Sequence, residues 1–433
     1  MILRLSDSLA RALVVLVSVL VGAWLCFYSV RAAVARYGAE GTTQRRLELA
    51  TRLEPGNPVY WYTLARFHEY NLENPSSDLA KQLYEKAISL DPLYTDAWMD
   101  LGTAYELEGE DDEARRAFRE AKRSYSVSAD VSWRYGNFLL RQGDQTLAYS
   151  ELKRAIAADP NRAAAAFSRA YRSNPNVQQI LDELLPPQET VYLHVIQSAA
   201  DAKQLAVAQT VWNALVTLHP KLTFRDVDSL AMPLMQDREY LEARRVWDEG
   251  VATMNLPPLL QPQLSAIWDP SFESGANGSA YSWGFRPIDQ GVSIGFDKSE
   301  HTSGGGQQSL RLSFDGKHNP NLDAACTFAN VQPNTNYYFS GWFKTRDITT
   351  ENGVHFRLRA FRPGKTEVTD SREIHGTNPW TEVEMDWTSP PDTHLAQICV
   401  SREPSDSPEV RISGTAWVDD VNLVPKPAGT HKP

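Results

Sequence analysis

Residues 98–121 read WMDLGTAYELEGEDDEARRAFREA, and this stretch decides the fold of half the chain. Its small residues recur at a spacing of 34: Gly102 with Gly136, Gly109 with Gly143, and Ala114 with Ala80 and Ala148. Large apolar residues hold the same period at Tyr84, Phe118 and Leu152, and another small column runs through Ala87, Ala121 and Ala155. Pro92 and Pro160 lie two periods apart, with Ser126 midway. A period of this length marks a stacked array whose units cannot bury their apolar faces alone. Each unit here is two antiparallel helices. Gly102 and Ala114 let those helices approach, while Trp98, Leu101, Tyr105 and Phe118 fill the space between units. Pro92 stops one helix ahead of the next unit, and Gly109 and Gly143 supply the turn inside each unit.

The pattern Trp98-x2-Leu101-Gly102-x2-Tyr105, followed by Ala114-x3-Phe118 and Ala121, resembles the tetratricopeptide repeat at almost every key column. Units at about 58–92 and 129–162 match it too, the first with about three extra residues near Asn74-Pro75-Ser76. Leu47, Ala50 and Pro55 look like the second half of a preceding unit. Ala208, Trp212 and Pro220, then Ala243 and Trp247, are weaker copies. Between them, 163–188 departs from the pattern, with AAAAFSRAY and Leu185-Pro186-Pro187 reading as an irregular turn of the array. An all-α solenoid over 40–255 is expected. The resemblance implies a protein partner held on a concave face built from the first helix of each unit. The matching positions are Tyr62, Arg66 and Glu69, then Asp96, Met99, Thr103 and Glu106, then Asp130, Trp133, Asn137 and Arg141. The lysine-rich face of the carboxylate-clamp subtype is missing despite Asn137. A solvated face of a structural spacer is the other reading of these residues.

Upstream, Ala12 to Val30 reads ALVVLVSVLVGAWLCFYSV, 19 residues without a charge and long enough to cross a hydrocarbon core as a helix. Trp24, Phe27 and Tyr28 gather towards one end as an interfacial belt would. The stretch is read as an uncleaved anchor over 12–30 behind a flank of 1–11. Its rival is a signal peptide cut after Ala33-Val34-Ala35, for which the apolar run is long. Cys26 follows Ala23-Trp24-Leu25, which is no lipoprotein cleavage site, so it reads as a lipid-facing thiol. Arginines flank both ends, Arg4 and Arg11 against Arg31 and Arg36, and Arg45, Arg46 and Arg52 tip a bare count towards a cytoplasmic bulk.

Downstream, the composition changes at Asn255-Leu256-Pro257-Pro258, a linker over 256–266. Helical periodicity gives way to short alternating runs: Leu310, Leu312 and Phe314; Val354, Phe356, Leu358 and Ala360 against His355, Arg357 and Arg359; Val383, Met385 and Trp387 against Glu382, Glu384 and Asp386. Many short strands with turn signals between them predict an all-β sandwich over 267–425, followed by a tail over 426–433. Its phrases include Asp269-Pro270-Ser271-Phe272-Glu273, Ser340-Gly341-Trp342-Phe343-Lys344 and Trp417-Val418-Asp419-Asp420-Val421. Their order resembles the jelly-roll carbohydrate-binding modules and their galactose-binding-like relatives. That resemblance implies a structural calcium held by Glu273 and Asp419, for which an ordinary turn acid and edge-strand acid are the alternative. It also implies a glycan, for which His355, Arg357, Arg359, Phe361 and Trp380 are the candidate residues. Trp283, Trp342 and Trp387 are assigned to the core. The competing reading pairs Arg357 and Arg359 across strands with Glu382 and Glu384. Cys326 and Cys399 are a candidate disulfide, with buried free thiols as the alternative.

The remaining composition excludes several classes. With 43 Lys+Arg against 54 Asp+Glu the net charge is −11, so there is no basic footprint for nucleic acid. Three cysteines rule out a disulfide scaffold or cysteine-rich zinc module. A mean hydropathy of −0.41 rules out a polytopic membrane protein. No HExxH, GxSxG or P-loop is present, and Asp111-Asp112 and Asp419-Asp420 read as a helix start and a strand motif, so no catalytic residue is assigned. The expectation is a non-catalytic bacterial scaffold, single-pass in the cytoplasmic membrane. Its bulk is placed outside by the sandwich's usual ligands and by the cysteine pair, in a role in cell-surface polysaccharide assembly or export. The alternative is a pure protein adaptor whose sandwich is structural or protein-binding.

Overall fold

The computed structural model describes residues 8–71, 76–256, 265–286, 291–304, 306–406 and 410–426. The expectations for the extreme N-terminal flank, the insertion at Asn74-Pro75, most of the 256–266 linker and the tail beyond 426 lie outside the described residues. The chain divides into two compact units, Met1–Pro186 and Pro187–Pro433.

The first unit is helical. Helix α1 (Ser8–Ala39) is followed by α2 (Gln44–Leu53), α3 (Pro58–Tyr70), α4 (Ser77–Leu90), α5 (Thr95–Leu107), α6 (Asp111–Ser124), α7 (Ala129–Arg141), α8 (Gln145–Ala158), α9 (Ala163–Ser173) and the short α10 (Val177–Gln179), which runs into a π-helical turn at Ile180–Leu184. The 34-residue columns do what their chemistry demands. A Cβ on Gly102 would sit 3.1 Å from the Phe118 ring, and one on Gly136 would sit 2.8 Å from Leu152. A larger residue at 102 would press on Phe118, and one at 136 would force Leu152 to shift, so glycine suits the close approach of α5 to α6 and of α7 to α8. Gly109 and Gly143 take φ of +79° and +78° in the turns, a backbone region that favours glycine. Ala80, Ala114 and Ala148 are wholly buried. The indole N–H of Trp61 donates to Pro55 O at 2.8 Å and that of Trp98 to Pro92 O at 2.9 Å, locking each first helix onto the preceding turn. Helix α9 starts 34 residues after α7, so the AAAAFSRAY segment is the first helix of a further unit. The α10 and π-turn segment replaces that unit's second helix.

Helix α1 is long and apolar enough from Arg11 onward to cross a membrane. Its last turns belong to the array. Ala35 is fully buried, a Cβ on Gly38 would stand 2.9 Å from Arg46 O, and Arg31 donates to Leu53 O at the end of α2.

The second unit joins four helices to a sandwich. Helices α11 (Glu189–Asp201), α12 (Leu205–Val216), α13 (Phe224–Gln236) and α14 (Tyr240–Val251) form two more hairpins, with Trp212 and Trp247 fully buried. Ten strands follow: β1 (Gly284–Phe285), β2 (Val292–Asp297), β3 (Ser309–Asp315), β4 (Leu322–Asn330), β5 (Asn336–Ile348), β6 (His355–Arg362), β7 (Lys365–Asp370), β8 (Gly376–Thr388), β9 (Leu395–Arg402) and β10 (Ser413–Pro425). They make two five-stranded antiparallel sheets, ordered β1-β4-β9-β6-β7 and β2-β3-β10-β5-β8. The alternating residues behave as the period of two requires: Phe356, Leu358, Val383, Leu310 and Leu312 meet in the core between the sheets. Trp283 and Trp387 are buried there as expected. Trp342 is not: it sits half-buried on the outer side of its sheet, in register with Glu382 and Asp419, because Gly341 and Phe343 take the inward positions.

Aromatic packing ties α13 and α14 to the sandwich. Trp247 meets Trp268 edge-on at 4.9 Å and Tyr281 at 6.0 Å, and Phe224 stacks on Trp247 at 5.7 Å. Polar contacts complete the joint: Asn330 donates to Tyr240 O at 2.7 Å, Ala280 N–H to Asp228 at 3.0 Å, and Arg244 to Ala266 O at 2.9 Å.

Candidate functional site

In the first unit, α3, α5 and α7 lie side by side and present one face. Every concave-face residue predicted from the repeat lines one of two adjoining cavities except Glu69, whose carboxylate instead takes the Tyr84 hydroxyl. The larger, about 340 Å³, is lined by Tyr62, Arg66, Asp96, Met99, Asp130 and Trp133, together with Tyr70, Asp100 and Arg134. The smaller, about 210 Å³, holds Thr103, Glu106, Trp133, Asn137 and Arg141, together with Arg134 and Arg169.

Asp100 is the hub. It is buried, yet it accepts from Tyr62 Oη at 2.8 Å and Arg134 Nη1 at 2.6 Å, with Arg66 Nε at 3.9 Å. A buried carboxylate persists because charged donors replace the water it loses. Burial, then Asp100, pushes the Tyr62 phenol well above its ordinary range. Burial works against the charge of Arg134, but the hydrogen bond and field of Asp100 raise it overall. Arg141 forks onto Glu106 at 2.6 and 2.8 Å. Trp133 stands between the two cavities with Arg169 and Arg162 over its ring at 4.8 and 5.5 Å. Asp100 and Arg134 were not singled out from the sequence, although they stand one period apart and belong to one column of successive units. Arg169 was missed because its segment departs from the repeat pattern.

In the second unit, strand β6 puts His355, Arg357, Arg359 and Phe361 on the outer face of its sheet, as the alternation predicts. Trp380 does not join them: it lies on β8, in the other sheet. The arginines do not pair with Glu382 and Glu384, which are also on β8. Arg357 instead forks onto Asp370 with two bonds of 2.7 Å and reaches Glu403, while Arg359 bonds Asp323 at 2.7 Å. Strand order explains this, since β6 lies between β7 and β9. Asp370 keeps its carboxyl below the usual range through Arg357 and His355, which outweigh its partial burial. His355 is 1% exposed, neither ring nitrogen has a hydrogen-bond partner, and burial lowers its pKa. Phe361 packs against Phe328 at 6.2 Å. Cys326 and Cys399 are opposed in register on β4 and β9 and form a disulfide, next to Arg357 in the β6 register.

Glu273 and Asp419 both grip the loop that precedes β3. Glu273 Oε1 accepts from Gln307 N–H at 2.9 Å and Gln308 N–H at 3.2 Å. Asp419, fully buried, accepts from Thr302 N–H at 2.9 Å and from its hydroxyl at 3.2 Å. Burial pushes Asp419 up to about 7. Among the described residues no group of three or more His, Cys, Asp or Glu side chains is placed to hold a metal ion. Asp419 Oδ1 also accepts from Asp420 N–H at 2.9 Å, so both of its oxygens are engaged by protein donors that a calcium would have to displace.

The tetratricopeptide-repeat family model matches residues 72–129 and 112–163, which cover helices α4 to α8. No curated protein matches the chain. Among solved structures, the helical part is similar to YrrB, described as a TPR protein with an unusual peptide-binding site: 16% identity over 49% of this chain and 93% of that one, TM-score 0.27. The sandwich is similar to a xylan-binding domain from CBM 22: 14% identity, 38% of this chain, 97% of that one, TM-score 0.28. A bacteriophage CBA120 tailspike protein matches at 13% identity over 38% of this chain, TM-score 0.28, and the match spans only 22% of the tailspike chain. The tetratricopeptide-repeat match thus lies within residues 72–163 of the first unit.

Proposed function

We propose that the chain is a membrane-anchored, non-catalytic scaffold that holds a segment of a partner protein in the groove of α3, α5 and α7. The observation that carries this reading is the cavity around Asp100: three successive first helices pool Tyr62, Asp96, Trp133 and Arg134 at a concave surface, with aromatic and charged groups left accessible. Such anchors are the residue types that dominate protein recognition. The test is chemical crosslinking in membranes with a photoreactive group in place of Met99. Partner adducts that disappear in the Trp133→Ala variant support the groove, and adducts indifferent to it overturn the groove.

Retention of the apolar helix is supported by Ala35, which is fully buried, and by Arg31, which donates to Leu53 O at the end of α2: a cut after Ala33-Val34-Ala35 would remove both. An extracytoplasmic bulk is supported by the Cys326–Cys399 bridge, which a reducing cytoplasm would keep open. A reporter fused after Pro433 that is active only when exported is the expected result. For the sandwich, a glycan role in polysaccharide assembly or export rests on the β6 face. The saturated ion pairs of Arg357 and Arg359 favour the second reading, a structural or protein-binding sandwich, because a sugar would have to compete with Asp370, Glu403 and Asp323. Affinity electrophoresis of the full chain in detergent against neutral and acidic polysaccharides separates the two. Retardation that Phe361→Ala relieves supports the glycan, and none supports the adaptor. Calcium at Glu273 and Asp419 would tie the 302–308 loop to β10, and the expected sign is a higher melting temperature with calcium than with a chelator.

A further inference from the structure

The groove changes sign along its length, and Trp133 marks the change. On one side stand the carboxylates Asp96, Asp100 and Asp130. On the other lies a cavity of about 470 Å³ lined by Asn137, Leu140, Arg141, Arg169, Arg172 and Ser173, with no carboxylate among them. Asp100 and Asp130 already have arginine partners, Arg134 and Arg162. Arg169 has no such partner among the described residues. Its guanidinium lies over Trp133 at 4.8 Å and donates to Asn137 Oδ1, while the Asn137 amide N–H is spent on Trp133 O at 2.7 Å. Burial, then Arg141 and Arg172, pushes the pKa of Arg169 down, and no neighbouring anion offsets this. Arg141 satisfies Glu106 and adds a further cation at the rim. A half-buried guanidinium beside two others is a costly arrangement until an anion completes it.

We propose that this end of the groove seats an acidic segment of the partner protein, with a carboxylate side chain forked by Arg169 and Arg172 and a neighbouring apolar residue against Leu140. The proposal rests on the reading of the groove as a protein-binding site. The planar fork of arginine matches a carboxylate with two parallel bonds, which a lysine cannot do. Complementarity also sets the register. On a chain of net charge −11, an acidic ligand is disfavoured over much of the surface, so a local cation cluster decides where it lands.

A random heptapeptide library displayed on phage, panned against the full chain in nanodiscs, tests this. The expected result is enrichment of peptides carrying Asp or Glu. A synthetic copy of an enriched peptide should bind about tenfold or more weakly to an Arg169→Gln/Arg172→Gln variant, and should weaken with added salt. The variant's circular dichroism should match the parent's. Enriched peptides without acidic bias that still need Trp133 would leave the groove reading standing and overturn the acidic segment. No peptide dependent on Trp133 or on the arginines would overturn both. A hexameric oligouronate that binds through the same arginines where no peptide does would replace the protein segment with an acidic glycan, and so would also overturn the proposal.

Discussion

The hairpins α5–α8 and α11–α14 are built by the same rule and use tryptophan in opposite ways. In the first pair, Trp98 and Trp133 are only half-buried: one locks a turn and the other lines the groove. In the second, Trp212 and Trp247 are fully buried, and Trp247 is packed among Phe224, Trp268 and Tyr281 at the foot of the sandwich. A repeat whose aromatic face stays open can serve a partner, and one whose face is covered by its own chain has become foundation. The comparison teaches that repeat identity and repeat role are separate properties.

The largest test attacks the covered face. Trp247→Ala removes an indole from a joint shared by helices and sandwich and should cost about 3–5 kcal/mol, read by urea unfolding. Helical and sheet signals should melt together earlier. A loss confined to the helical signal would break the claim that α13 and α14 are foundation. Next comes the bridge that pins β4 to β9. Its cysteines are 73 positions apart in sequence, so replacing Cys326 and Cys399 by serine should cost up to about 4 kcal/mol in the chain-entropy model. Unfolding of the second unit by urea under oxidising conditions checks it, and the α5–α8 helices should be unaffected.

A smaller effect is pH-dependent. Asp419 is raised to about 7 by burial, so its protonated form is favoured in the folded state. The stability it contributes is fully present below its unfolded value, about 4, and is lost as pH rises through about 7. Asp419→Asn should therefore melt closer to the parent at pH 5 than at pH 8, where the variant gains relative to it. An equal difference at both pH values, measured by differential scanning fluorimetry without added calcium, would remove Asp419 as the source. The smallest stability change is expected on the open face: Trp133→Ala should shift unfolding by about 1 kcal/mol or less, as surface changes do, while abolishing partner crosslinks. A loss as large as that of Trp247→Ala would mean the groove tryptophan is core, and the contrast would collapse.

Both folds were legible because their signals are local. A 34-residue period and an alternation of two are written in neighbouring residues, and Gly102, Phe118, Phe356 and Leu358 do what those periods require. The concave face was legible for the same reason, since each first helix repeats its own positions. The pieces that eluded the sequence come from irregular or distant segments. Arg169 and Arg172 sit on α9, where the consensus fails. Trp342 resembles a core residue by type but lands outside by strand parity.

By itself, then, the sequence determined the element types, the repeat spacing, the apolar α1 and the inward faces of the strands, because backbone propensity and burial act over a few residues at a time. Only the tertiary structure decided which strands became neighbours. That choice paired Arg357 with Asp370 instead of Glu382, removed Trp380 from the β6 face and set Cys326 opposite Cys399. It also brought arginines from α7 and α9 together around Trp133. Pairings of this kind depend on sheet order and helix stacking across tens of residues. No local period encodes them.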